Sequence, residues 1–128
     1  MNEPWFWFGL VLLAARDVAR RGVATPAAGK LTKTQIVALA SRTGFPDPNL
    51  AAAVAMAESG GNSQALASTA KEYSVGLWQV NMKAHTTWTE AQLRDPATNA
   101  QAALSISSHG KNWTPWSAYT NGTYKAFL

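Results

Sequence analysis

The chain contains no cysteine, which excludes disulfide staples, thiolate nucleophiles and thiolate metal ligands and says nothing about compartment. Acidic residues are scarce too: seven Asp and Glu stand against eleven Lys and Arg in 128 residues. The resulting charge of +4 favours an anionic partner, whether nucleic acid, acidic lipid or an anionic wall polymer, without choosing among them. Histidine occurs only at His85 and His109, neither with Cys, Asp or Glu at ligand spacing. Both therefore read as surface residues, and no metal or cofactor is expected. No apolar run reaches the roughly 20 residues of a bilayer-spanning helix. No internal repeat, charge block or low-complexity tract occurs. What remains, 47% apolar and 14% charged, is the composition of one folded domain able to bury a core.

Along the chain, Glu3-Pro4 resembles a first helical turn, and Trp5 to Ala15 is continuously apolar before Arg16, Arg20 and Arg21. Residues 1–21 thus read as an apolar helix that docks on a membrane interface or on a partner protein through residues 5–15, with packing on its own domain as the alternative. A linker over 22–31 carries Pro26 and Gly29. The compact unit is expected over 32–128. Thr32 with Gln35 is a capping box for a helix to about Ser41 that turns Ile36, Leu39 and Ala40 inward and stops at Gly44. Asp47-Pro48 opens a second helix, with Leu50, Val54 and Ala57 pointing one way. Residues 62–74 read as irregular with a short strand. Thr87 with Glu90 predicts a short capped helix, and Asp95-Pro96 opens another to about Ser108, with Ala100, Ala103, Leu104 and Ser107 at helical spacing. From Trp113 onward, aromatics and the turns Thr114-Pro115 and Asn121-Gly122 predict short helical pieces folded back over the core.

The stretch that carries chemistry is Ala57 to Asn81. Glu58 ends an alanine-rich helix just before Ser59 and Gly60-Gly61, with Val54, Ala55 and Ala51 on its face. Apolar walls and the negative end of the helix dipole both disfavour ionisation, so the carboxyl keeps a proton that it can donate to a leaving glycosidic oxygen. Gly76-Leu77-Trp78-Gln79-Val80-Asn81 suits an opposing wall: Gln79 and Asn81 either hold substrate or satisfy a turn, and Trp78 either stacks on a sugar or fills the core. Among the other acids, Glu3 and Asp17 belong to the N-terminal segment, and Asp47 and Asp95 precede proline and read as caps, which leaves Glu72 and Glu90 as candidate partners for Glu58.

Glu58-Ser59 followed by Gly76-Leu77-Trp78-Gln79 resembles the ES…GLMQ signature of the lytic transglycosylase (SLT) domains of the lysozyme-like superfamily, and is similar to phage and bacterial wall-degrading domains in which GLWQIN is common. The likeness extends through Asp95-Pro96, Asn99 and the ending Trp113 to Tyr119, covering roughly residues 32 to 128. It implies a mainly α, α+β lysozyme-like fold: a helical bundle around a substrate cleft with a small irregular or β lobe. It also implies that Glu58 serves alone as acid and then base in cutting the MurNAc-GlcNAc bond of peptidoglycan, that Ser59 steadies it, and that Gln79, Asn81, Trp78 and Tyr119 line the substrate site. The ending Tyr119-Thr120-Asn121-Gly122 is one residue longer than the family's pattern. Matched to animal-type lysozymes, the second carboxylate falls on Ser74, so Glu72 is the candidate auxiliary acid, expected on the opposite face from Ser74 if that stretch is extended.

Three function classes follow: a lytic transglycosylase, a hydrolytic muramidase, or an inactive wall-binding virion component. The expected setting is a virion acting in the bacterial wall or periplasm, or else a bacterial cell envelope. A nucleic-acid partner rests on charge alone, since no basic stripe interleaved with aromatics occurs, and none is expected.

Overall fold

The computed structural model describes residues 29–128. The apolar helix expected over 1–21, its membrane or partner role, and most of the linker expected over 22–31 lie outside the described residues. Among the described residues no helix is long and apolar enough to cross a membrane.

Thr32 opens α1 (Lys33–Thr43) with a reciprocal cap. Its hydroxyl accepts from the Gln35 N–H at 3.1 Å, and Gln35 Oε1 accepts from the Thr32 N–H at 2.9 Å. Two of the four orphan donors of the first turn are thereby satisfied. Ile36, Leu39 and Ala40 are buried, as their spacing predicts, and Gly44 closes the helix. Leu31, at the end of the expected linker, is core: it is 2% exposed, and its N–H donates to the Gly61 carbonyl at 2.8 Å.

Asp47 caps α2 (Pro48–Ser59) through the Leu50 N–H at 3.1 Å, with Pro48 pre-set for the first turn. Ala51 to Ala55 are each 0% exposed. Successive residues project about 100° apart around a helix, so five buried in a row leave no side facing water. The expected single inner face is therefore corrected: α2 is the axis of the fold, while Leu50 and Ala57 are only half-buried. Alanine permits this, because its short side chain lets α1 and the C-terminal 3-10 helix (Thr123–Phe127) approach closely.

The segment read as irregular holds two strands of a three-stranded antiparallel sheet: β1 (Leu66–Ser68), β2 (Tyr73–Val75) and β3 (Val80–Asn81), in that order. Leu66 pairs with Val75, and Ser74 with Asn81. The next helix, α3 (Glu90–Leu93), is capped by Thr89 and Gln92 rather than by Thr87 and Glu90. Both pairs fit the local pattern. Tertiary partners decide between them, because Glu90 is bonded to Tyr73 and Arg94 and cannot turn back onto a cap. Asp95 caps α4 (Pro96–Ile106), which ends two residues before Ser108, the residue expected to end it; Ser108 and His109 adopt left-handed backbone ahead of Gly110. α5 (Ser117–Thr120) and the 3-10 helix form the expected short closing pieces.

Trp78 stands at the centre of the core at 0% exposure. Phe45 stacks between it and Trp113, with ring centroids 5.8 and 5.5 Å away, and Trp113 meets Trp116 at 4.9 Å. A second cluster of Val75, Val80, Leu93 and Ala102 lies under the sheet. The architecture is mainly α, α+β with a small β lobe, as expected from the sequence.

Candidate active site

α2 ends where it does because Gly60 adopts the left-handed conformation (φ 63°) and its N–H returns to the Met56 carbonyl at 2.8 Å. That stop leaves Glu58 on the last turn, half-buried in the wall of an open cleft of about 150 Å³. Glu58, Trp116, Pro115 and Ser117 form one bank; Glu72, Ser74, Gln79, Asn81 and His85 form the other, with Val80 and Ile106 supplying apolar lining.

Three influences act on the Glu58 carboxyl. Burial pushes its pKa up, the Ala118 N–H donating to Oε2 at 3.2 Å pulls it down, and the nearby negative charge of Glu72 raises it again. The net direction is upward, so the proton is retained to higher pH than on an ordinary glutamate. No hydrogen bond to Oε1 exists among the described residues, which leaves that oxygen for the cleft.

The opposite bank is built by Asn99. This fully buried side chain donates to the Val75 and Leu93 carbonyls at 2.8 and 2.9 Å and accepts from the Trp78 N–H at 2.8 Å. Two of these bonds hold the ends of the turn from Val75 to Trp78, and the third ties it to the end of α3 at Leu93. A Cβ on Gly76 (φ 83°) would overlap both the Asn99 amide and the Leu93 carbonyl, so glycine is required by space as well as by backbone angle. Beyond the turn, Gln79 holds a left-handed backbone (φ 48°), and its Nε2 donates to the Ala65 and Gly76 carbonyls at 3.2 and 3.0 Å. Asn81 is used in the reverse sense: its Oδ1 accepts from the Tyr73 and Lys83 N–H groups at 3.1 and 3.0 Å. Because these partners are backbone groups of fixed polarity, both amide orientations are determined. Gln79 keeps Oε1 unspent and Asn81 keeps Nδ2 unspent, so these two amides offer one acceptor and one donor.

Glu72 corrects an expectation. Side chains two apart on a strand share a face, so Glu72 and Ser74 point the same way rather than opposite ways. The Ser74 hydroxyl donates to Glu72 Oε2 at 2.6 Å, and both residues line the cleft. Glu90 is not part of this group. Tyr73 Oη donates to its Oε1 at 2.6 Å and Arg94 pairs with its Oε2 at 2.7 Å, while Arg94 Nη1 reaches the Gln64 carbonyl at 2.9 Å.

Three residues expected at the substrate site lie elsewhere. Trp78 cannot meet a sugar: it is fully buried, and its indole N–H donates to the Ala51 carbonyl at 3.0 Å. The Ser59 hydroxyl makes no hydrogen bond to the Glu58 carboxyl; it donates to the Ala55 carbonyl at 3.0 Å and accepts from the Gly61 N–H at 3.2 Å, fastening the helix end. Tyr119 is half-buried, stacks on Tyr124 with centroids 4.9 Å apart, and is not among the cleft-lining residues. Conversely, His85 lines the cleft, whereas sequence reasoning placed it on the surface. Trp116 is both core and cleft wall, with its indole N–H on the Trp78 carbonyl at 2.7 Å. Asn99 belongs to the family likeness without a role attached to it, and the residue pattern adds a signal of its own, a lone amide among alanines on the inner face of α4. The Ala118 N–H had none, since any non-proline residue supplies it.

No group of three or more potential metal ligands occurs among the described residues. No curated protein and no solved structure matches the chain. A family model described as a lysozyme-like domain does match, over residues 31–118, from the buried Leu31 to the Ala118 whose N–H meets Glu58. With that fold, that cleft and a match over more than half its length, the chain belongs to the lysozyme-like domain family, whose members act on peptidoglycan.

Proposed function

We propose that this domain is a lytic transglycosylase that cuts the MurNAc-GlcNAc β-1,4 bond with Glu58 as its single acid and base. The observation that carries the reading is a half-buried, proton-retaining carboxyl facing fixed amides across an open cleft. Glu58 gives its proton to the departing glycosidic oxygen and C1 develops positive charge. The Glu58 carboxylate then takes the proton from the C6 hydroxyl of the muramyl sugar as that oxygen bonds to C1. The product is a 1,6-anhydro sugar; no water is consumed, and Glu58 ends protonated as it began. The unspent Gln79 Oε1 and Asn81 Nδ2 match the N–H and C=O of an acetamido group, which supports an N-acetylated glycan as substrate.

A hydrolytic muramidase is the second reading, favoured by Glu72. Held by Ser74 in the same cleft, Glu72 is a carboxylate able to activate water. Digestion of purified sacculi followed by mass spectrometry of the muropeptides separates the two. The transglycosylase gives anhydro ends, and Glu58→Gln lowers their yield by about 10²-fold or more. Reducing ends would favour the muramidase. Binding by the wild type without cleavage would favour an inactive wall-binding component, and full cleavage by Glu58→Gln would remove Glu58 from the chemistry. The setting we propose is a virion or a bacterial envelope, supported by the apolar run 5–15, suited to docking on a membrane or another virion protein, and by a +4 charge facing an anionic wall.

A further inference from the structure

Resting on the glycan-cleft reading, we propose that His85 selects muramyl units by binding their carboxylate and so sets which of two alternating sugars lies beside Glu58. The ionisable residues lining the cleft are Glu58, Glu72 and His85. No Lys or Arg lines it, so an anionic substituent entering there meets two acids and one group able to carry positive charge. The nearest lysine in sequence, Lys83, is committed elsewhere: its exposed Nζ donates to the Thr69 and Ala70 carbonyls at 3.1 and 2.9 Å. That contact ties the turn bearing Glu72 to the segment bearing His85, making one continuous rim. The His85 N–H is fixed to the Asn81 carbonyl at 2.9 Å, yet its half-buried imidazole makes no hydrogen bond among the described residues. The ring is placed by the backbone and left unspent. In a strand of alternating sugars only every second one bears a lactyl ether, and its carboxylate is free or extended by a stem peptide that carries carboxylates of its own. A cation at one fixed place on the rim therefore distinguishes the two possible registers, and only one of them puts the MurNAc-GlcNAc bond at Glu58.

The test measures binding in the Glu58→Gln background, which removes turnover, by calorimetry at pH 5.5 and pH 8, on either side of the range where imidazoles titrate. Three glycans are compared: neutral chitotetraose, a muramyl tetrasaccharide with free lactyl carboxylates, and the same glycan bearing stem peptides. Both carboxylate glycans are expected to bind about three- to fivefold tighter at the lower pH, the size of a partly exposed ion pair, while chitotetraose does not change. If only one of the two tightens, that one identifies the carboxylate held. Adding His85→Gln abolishes the pH effect on the carboxylate glycans, and an unchanged circular dichroism spectrum and melting temperature serve as the control for folding. A pH effect that survives His85→Gln but disappears with Glu72→Gln would overturn the proposal, as would an equal effect on chitotetraose. Failure of all three glycans to bind would instead remove the glycan-cleft reading itself.

Discussion

Glu58 holds its proton to higher pH than an ordinary glutamate because burial and the Glu72 charge outweigh one hydrogen bond from the Ala118 N–H. An acid must be protonated to donate, so kcat/KM on soluble glycan strands should fall on the alkaline side, with a midpoint above the ordinary glutamate value of about 4.3. A pH-rate profile on the wild type checks this; a midpoint at or below that value would contradict it. The same group affects stability. The folded chain binds the proton more tightly than the unfolded chain does, so this contribution is fully present below the unfolded pKa and is lost as pH rises through the raised folded value. Glu58→Gln should accordingly melt at a higher temperature than wild type at pH 7 and at nearly the same temperature at pH 4, as thermal denaturation followed by circular dichroism will show. A site poised for chemistry is thus held at some expense of stability.

At the scale of elements, the turn from Val75 to Trp78 depends on Asn99 and on the absence of a side chain at Gly76. Gly76→Ala would force a methyl group into a backbone carbonyl and a buried amide, neither of which can retreat, at a backbone angle that alanine resists. Loss of about 1–3 kcal/mol is expected from urea unfolding, with activity reduced further because the Gln79 bank shifts. Elements whose signals are local were legible beforehand. Thr32-Gln35, Asp47-Pro48 and Asp95-Pro96 each satisfy their own first turn within three residues, so their helices start where the sequence says. The choice between Thr87 and Thr89 was not legible, since it turns on Tyr73 and Arg94 holding Glu90. The GLWQ motif pointed to the cleft bank, yet Trp78 alone could not reveal that its indole faces α2. His85 was hidden for a related reason: entry into the cleft follows from the rim that Lys83 and Asn81 organise, and no spacing rule encodes that.

For the whole molecule, the β lobe is fastened to the helical lobe by Tyr73, Glu90, Arg94 and Gln64. The hydrogen bond from Tyr73, and then that from Arg94, holds the Glu90 carboxyl below the usual range. A depressed carboxyl contributes stability above the unfolded pKa and loses it as pH falls through the folded value. Acidification below about pH 4 should therefore loosen the lobe before the bundle. Hydrogen-exchange protection factors at residues 64–75 should drop while those of α1 and α2 persist, and Tyr73→Phe should remove most of that pH dependence; uniform loss across the molecule would contradict the lobe model.

The contact between Glu58 and Ala118 joins positions 60 residues apart. The donor, together with Pro115, Trp116 and Ser117 of the same bank, follows α4 in the chain, whereas Glu58 ends α2 ahead of the sheet. Because α2 is covered by α1 and by the C-terminal 3-10 helix, neither the burial of its axis nor the groove is complete until residues 115–127 have docked. Core and groove are therefore completed in a single step, and no partly assembled form of the domain holds one without the other.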